Sequence, residues 1–203
     1  MTARAEMPSP PGRGLGEGLA ISRRALLLTA LAAPAMAQAP PSVQPKAIDN
    51  LLTALKAAPT EEAAAALETQ IRTLWAEAAT PAVRLLLSRG TRELSEGATD
   101  DALASFDAAL DLSPDLLEGW RGRAQARRAS GDYVGAVRDL EELLKREPRS
   151  FLAFQDLSRL AEARGDWRGA LVAWRKVLEL SPRTPGGQLR LRDLRRRALG
   201  EEL

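Results

Sequence analysis

From about residue 83 to residue 184, apolar, small and turn-forming positions recur with a step of 34. Gly97, Gly131 and Gly165 keep that step, as do Ala102, Ala136 and Ala170, and Pro114, Pro148 and Pro182. Bulky positions follow it in Leu86, Trp120 and Phe154 and again in Phe106, Leu140 and Trp174, and small positions in Gly90, Ala124 and Ser158. A fixed period of this length marks a repeat architecture. Each glycine falls where an apolar-periodic stretch must end, a place that favours a left-handed residue. Asp132 and Asp166 follow as caps or turn residues, and the prolines cannot continue a helix interior. Each unit therefore predicts two helices joined by a Gly turn and closed by a Pro stop, over 83–116, 117–150 and 151–184. One helix pair cannot bury its apolar face alone, so three stacked pairs share an extended core.

The flanks are out of phase with this series. Residues 47–57 and 60–79 carry Leu51, Leu52 and Leu55, then Leu67, Ile71, Leu74 and Trp75, at helical spacing. They predict an N-terminal capping helix pair over 47–80. A last helix over 186–199, with Leu189, Leu191, Leu194 and Leu199 on or near one side, predicts a C-terminal cap within 185–203. Such terminal helices shield the open ends of a solenoid. Residues 38–46 form a Pro-rich linker.

The order of an aromatic, a small residue, Ala-x-x-x-Phe and then Pro resembles the tetratricopeptide repeat, over about half of the chain. The resemblance implies an all-α fold, a right-handed superhelical solenoid of antiparallel helix pairs, and a non-catalytic role in binding other proteins. Arg89 and Arg123 stand where the repeat prefers Leu, and Glu93, Arg127 and Ala161 where it prefers Tyr. These departures predict looser packing in the first two pairs. The layout, including the Thr-Pro step at 80–81, also looks like an exported bacterial repeat family.

In this fold the first helix of each repeat lines the concave face. The stripes it would present are Arg84, Leu87, Thr91 and Leu94; Glu118, Arg121, Gln125 and Arg128; and Leu152, Gln155, Arg159 and Glu162. They nominate a mildly basic groove for a partner segment. Arg121 and Arg128, two turns apart, could hold a carboxylate by forked hydrogen bonds; the alternative is that these arginines pair with Glu118, Asp156 or Glu162. Repeat domains that grip the C-terminal carboxylate of chaperones use Lys, Asn and Arg at places held here by Leu87, Thr91, Gly122, Leu152 and Asp156. That specificity is not expected. The four tryptophans read as core or turn-packing residues.

The first 37 residues change the picture of location. Ser22-Arg23-Arg24, an uncharged run from Ala25 to Ala33, and Pro34-Ala35-Met36-Ala37 form a positive, apolar and small-x-small series. That is the layout of a cleavable export signal, Sec or twin-arginine, with cleavage expected between Ala37 and Gln38 and a bacterial periplasmic location. Retention of the leader would instead make the protein a cytoplasmic adaptor. The leader holds the whole basic excess, so residues 38–203 carry 25 basic and 25 acidic side chains, which argues against nucleic acid as a partner. The apolar run is too short to span a bilayer, and stable membrane insertion is not expected after cleavage.

Cysteine and histidine are absent, which excludes disulfides, thiol or Ser-His nucleophiles and the usual zinc sites. Neighbouring acids such as Asp100 with Asp101 point in different directions on a helix and make no acid–base pair. No cofactor, metal site or catalytic residue is expected. The arginine-rich last helix predicts a monomer, the alternative being a module that self-associates through exposed repeat ends.

Overall fold

The computed structural model describes residues 45–200; the leader, with Ala37 and Gln38, and most of the linker lie outside the described residues. Among these, the chain forms helices and no strand: α1 (Pro45–Lys56), α2 (Glu61–Glu77), α3 (Pro81–Ser95), α4 (Thr99–Leu112), α5 (Leu117–Ala129), α6 (Tyr133–Arg146), α7 (Phe151–Ala163), α8 (Trp167–Leu180) and α9 (Gly187–Leu199). The pairs α3–α4, α5–α6 and α7–α8 stack in order, and α9 packs on α8. None of these helices is long and apolar enough to cross a membrane.

Local chemistry explains the boundaries. Gly97, Gly131 and Gly165 end the first helix of each pair with φ of +81°, +82° and +72°, a conformation costly for residues with a Cβ. The Asp132 and Asp166 carboxylates cap α6 and α8, accepting from the Gly135 and Gly169 amides, each at 2.8 Å. Pro114, Pro148 and Pro182 each stand one residue past the C-cap of a second helix, at Ser113, Glu147 and Ser181. Ala102, Ala136 and Ala170 are fully buried, and Gly90 lets the Phe106 ring lie against the backbone of α3. The first repeat begins earlier than the periodicity indicated, because Thr80 caps α3 and Pro81 occupies its first turn.

The departures from the apolar pattern do not loosen the pairs; they replace apolar contact with buried charge. Glu93 accepts from Ser105 Oγ and from Arg89 Nε, both at 2.6 Å. The Ser105 hydroxyl, with Arg89, holds its carboxyl below the usual carboxylate range. Between α5 and α6, Asp139 is 1% exposed. It accepts from Arg123 Nε at 3.1 Å, from Arg123 Nη2 at 2.7 Å and from Arg127 Nη1 at 2.8 Å. Arg123 reaches on to Asp107 of the preceding repeat at 2.6 Å and stacks over the Trp120 ring.

The N-terminal pair requires a correction. Helices α1 and α2 do not stack on α3 as an end cap. They form a hairpin across the Pro turns, packing on α5 and α8 as well as on each other. Glu61 accepts from the Gly186 amide at 3.2 Å, and Glu68 accepts from Ser181 Oγ at 2.9 Å. Trp75 meets Phe151 with ring centroids 5.9 Å apart, and Asp49 on α1 pairs with Arg149 at 2.8 Å. Thus α2 runs from the start of α9 back to α3 and ties the repeats together. The cause is apolar complementarity. Leu52, Leu55, Ala64, Ile71 and Trp75 form one core cluster with Phe151 and Leu152, whereas the side of α3 that an end cap would cover carries Arg89 and Arg92.

A candidate partner-binding groove

Parts of the α3 and α5 stripes meet, and α2 supplies a wall that the repeat alone does not have. Leu87, Ser88 and Thr91 of α3, Glu118, Arg121, Gly122 and Gln125 of α5, and Arg72 and Ala76 of α2 line a cavity of about 370 Å³ with Phe106 in its floor. Gly122 is required there: a Cβ would collide with the Phe106 ring. The structure therefore brings together Leu87, Thr91, Glu118, Arg121 and Gln125 of the nominated residues.

The others lie elsewhere. Arg84 turns to the Ala79 carbonyl at 2.6 Å, and Glu162 pairs with Arg190 of α9. Leu152 is 2% exposed under the α1–α2 hairpin. Arg128 borders a narrow cleft with Gln125 and Asp156. Gln155 is half-buried outside the lining, and Arg159 is spent on Asp156.

Asp156 organises the charges. Its Oδ2 accepts from Arg121 Nε at 2.8 Å and from Gln125 Nε2 at 3.0 Å, and its Oδ1 accepts from Arg159 Nη1 at 3.0 Å. Arg121 also lies 3.6 Å from Glu118. The idea of Arg121 and Arg128 forking around an incoming carboxylate is thus corrected for Arg121, whose fork already faces two carboxylates of its own chain. Burial pushes the Glu118 carboxyl up, the Arg121 guanidinium opposing this and Asp156 adding to it.

A sign follows for stability. A carboxyl raised on folding costs stability when ionised above its folded pKa, and the cost vanishes below its unfolded pKa. Glu118→Gln is therefore expected to unfold at equal or higher urea than the wild type at pH 7, with the difference shrinking towards pH 4. A clear loss of stability at pH 7 would show the Arg121 pair to dominate instead.

Arg72, Ala76 and Gly122 were missed by the stripe reading. The stripe carries no information on α2, and a glycine at an inner position shows only as a missing side chain. Sequence also gave no sign of a second cavity, of about 740 Å³, between the α1–α2 hairpin and the turns at 113–117 and 146–149. Its apolar lining includes Ile48, Leu74, Trp75 and Leu116, while Asp115 with Arg146 and Asp49 with Arg149 pair at its rim.

No family model matches the chain. It is 28% identical over 135 residues to a TPR repeat-containing protein of Rhizobium etli, covering 66% of each chain. It is 43% identical over 53 residues to tetratricopeptide repeat protein 36 of Mus musculus, spanning 26% of this chain and 28% of that one. Among solved structures, the Sgt2 TPR domain from Aspergillus fumigatus aligns with TM-score 0.53 at 25% identity, over 58% of this chain and 80% of that one. The first TPR of Spaghetti (RPAP3) bound to HSP90 peptide SRMEEVD aligns with TM-score 0.53 at 20% identity, over 59% and 94%. The 34-residue period, the paired helices and these likenesses together show that the described residues fold as a tetratricopeptide-repeat solenoid.

Proposed function

We propose that the protein is a non-catalytic interaction module of the bacterial cell envelope that takes a segment of a partner protein into the inner cavity walled by α2, α3 and α5. The cavity itself carries this reading: Leu87 and Ala76 offer apolar surface beside Ser88, Thr91, Gln125, Glu118 and the Arg72 guanidinium, a concave site that joins apolar surface to convergent polar groups. The segment that fits presents an apolar side chain to Leu87 and an acidic or amide group to Arg72. The solved relative that holds an HSP90 peptide supports segment binding in this fold. The places of the chaperone clamp hold Leu87, Thr91, Gly122, Leu152 and the arginine-paired Asp156 here, so a chaperone terminus is not the proposed segment. The envelope location rests on the composition of residues 1–37.

A photoreactive residue at Thr91, on the exposed edge of the cavity, tests the site in cells. A discrete adduct is expected, lost when Ala76→Trp fills the cavity from its exposed rim. No adduct from abundant folded protein, or one indifferent to Ala76→Trp, would move binding off this face. Mass spectrometry of the isolated protein is expected to find Gln38 first; an intact leader would overturn the envelope location.

A further inference from the structure

Because the α1–α2 hairpin lies across the turns, no described residue covers the N-terminal end of the repeat stack. Position-by-position comparison makes this plain. Leu116 and Ser150 are 6% and 1% exposed, Gly119 and Ala153 are buried, and Ala126 and Leu160 are 0% and 2% exposed. Each is covered by the preceding helix pair. One period earlier, Ala82, Leu85 and Arg92 are all exposed, Leu85 at 70%. Arg89 is likewise far more exposed than Arg123, with side chains at 57% and 16%. The neighbouring side of α4 carries Leu112, 62% exposed, and the exposed Asp101. Two of the most exposed large apolar side chains among the described residues thus sit on the one face where the fold would place another helix pair.

The face is self-complementary. Glu93 contacts Ser105 across the hairpin and Gly90 lies against Phe106, so the antiparallel run sets Leu85 level with Leu112 and Arg92 within about one turn of Asp101. Take a twofold axis in the plane of this face, parallel to the helices and between them. It lays α3 of one copy antiparallel on α4 of another, as α5 lies on α4 within the chain. Leu85 then meets Leu112, and Arg89 with Arg92 meets Asp101 with Asp100, twice over, as an isologous contact requires.

The geometry points to a second copy of this chain as the occupant of the uncovered α3–α4 face, forming a twofold dimer through the N-terminal ends of two solenoids. The opposite end is less suited: α9 also exposes Leu189 and Leu199, but Gln188, Arg192 and Arg195 stand exposed among them, and two such basic faces repel. The dimer leaves the inner cavity open, so it does not depend on the proposed partner site, and the two can fail separately.

Sedimentation velocity of the purified full chain, from nanomolar to high micromolar concentration, is the test. A reversible dimer is expected. Leu85→Glu with Leu112→Glu should raise its Kd by about 100-fold or more, as loss of central apolar anchors does. Arg92→Glu and Asp100→Lys should each raise it by roughly 3- to 10-fold, as rim charges do, and mixing these two variants should restore a mixed dimer, because each repairs both contacts of the other. All four positions are exposed, and circular dichroism checks that each variant folds. A monomer at every concentration, a dimer indifferent to Leu85→Glu/Leu112→Glu, or no recovery on mixing would each overturn the proposal. Capture by a different helical protein, or cover by residues 1–44, would show as the first of these.

Discussion

Phe151→Ala is expected to lower the unfolding free energy by about 4 kcal/mol, the upper range for deleting a fully buried aromatic ring. Phe151 is 0% exposed and stands at the start of α7, where it closes the cluster joining Leu52, Leu55, Ile71 and Trp75 to the repeats. Its loss removes the Trp75 contact and leaves a void where the hairpin meets the stack. The damage should be unevenly spread. Amide exchange is expected to quicken along α1 and α2 well before α5–α8, whose own pairs keep their cores. Because α2 supplies Arg72 and Ala76 to the inner cavity, partner adducts from Thr91 should fall as well. Uniform loss of protection across all the helices would instead show one cooperative unit in which the hairpin has no independent opening.

Asp139→Ala carries the second large effect, a loss of about 3–5 kcal/mol. The carboxylate is buried between two guanidinium groups, and removing it strands Arg123 and Arg127 with their remaining partners at Asp107, Asp132 and the Gly135 carbonyl. The network is an electrostatic replacement for apolar residues, so removing all of it should cost far less than removing its acid alone. Arg123→Leu with Arg127→Tyr and Asp139→Leu is expected to recover most of the stability lost by Asp139→Ala. Urea unfolding of the two variants side by side measures this. If the triple variant is as unstable as the single one, α5 and α6 cannot accept apolar packing, and the charges are required by their geometry.

These two variants separate what could be read along the chain from what could not. The repeat units were legible because their boundaries are set locally: Gly131 must be left-handed, Asp132 must cap, and Pro148 must stop, whatever else the chain does. Ala124 against Ala136 was legible because both small residues recur at the step that brings paired helices together. Two of the buried acids were not: Asp139 and Glu93 look like solvated helix residues one at a time, and only the arrival of Arg123 and Arg89 from one helix or one turn away makes their burial tolerable. Asp156 stood as one possible partner of Arg121, and the structure makes that pair. Inner positions such as Leu87, Thr91 and Gln125 were nominated from the stripe spacing and do meet in one cavity, whereas Arg84 and Glu162, on the same stripes, are drawn off by the Ala79 carbonyl and Arg190.

Sequence alone determined the repeat length, the all-helical class, and the turn and cap residues. All of these follow from interactions within a few residues or from one repeated spacing. Tertiary structure alone decided where the α1–α2 hairpin docks. Its apolar stripe is equally suited to an end cap or a brace, and a stripe records what must be buried but not against what. The choice was made by Phe151 and Leu152 offering an apolar seat across the turns, while Arg89 and Arg92 made the end of α3 a poor one. From that choice come both the wall of the inner cavity and the open end of the stack.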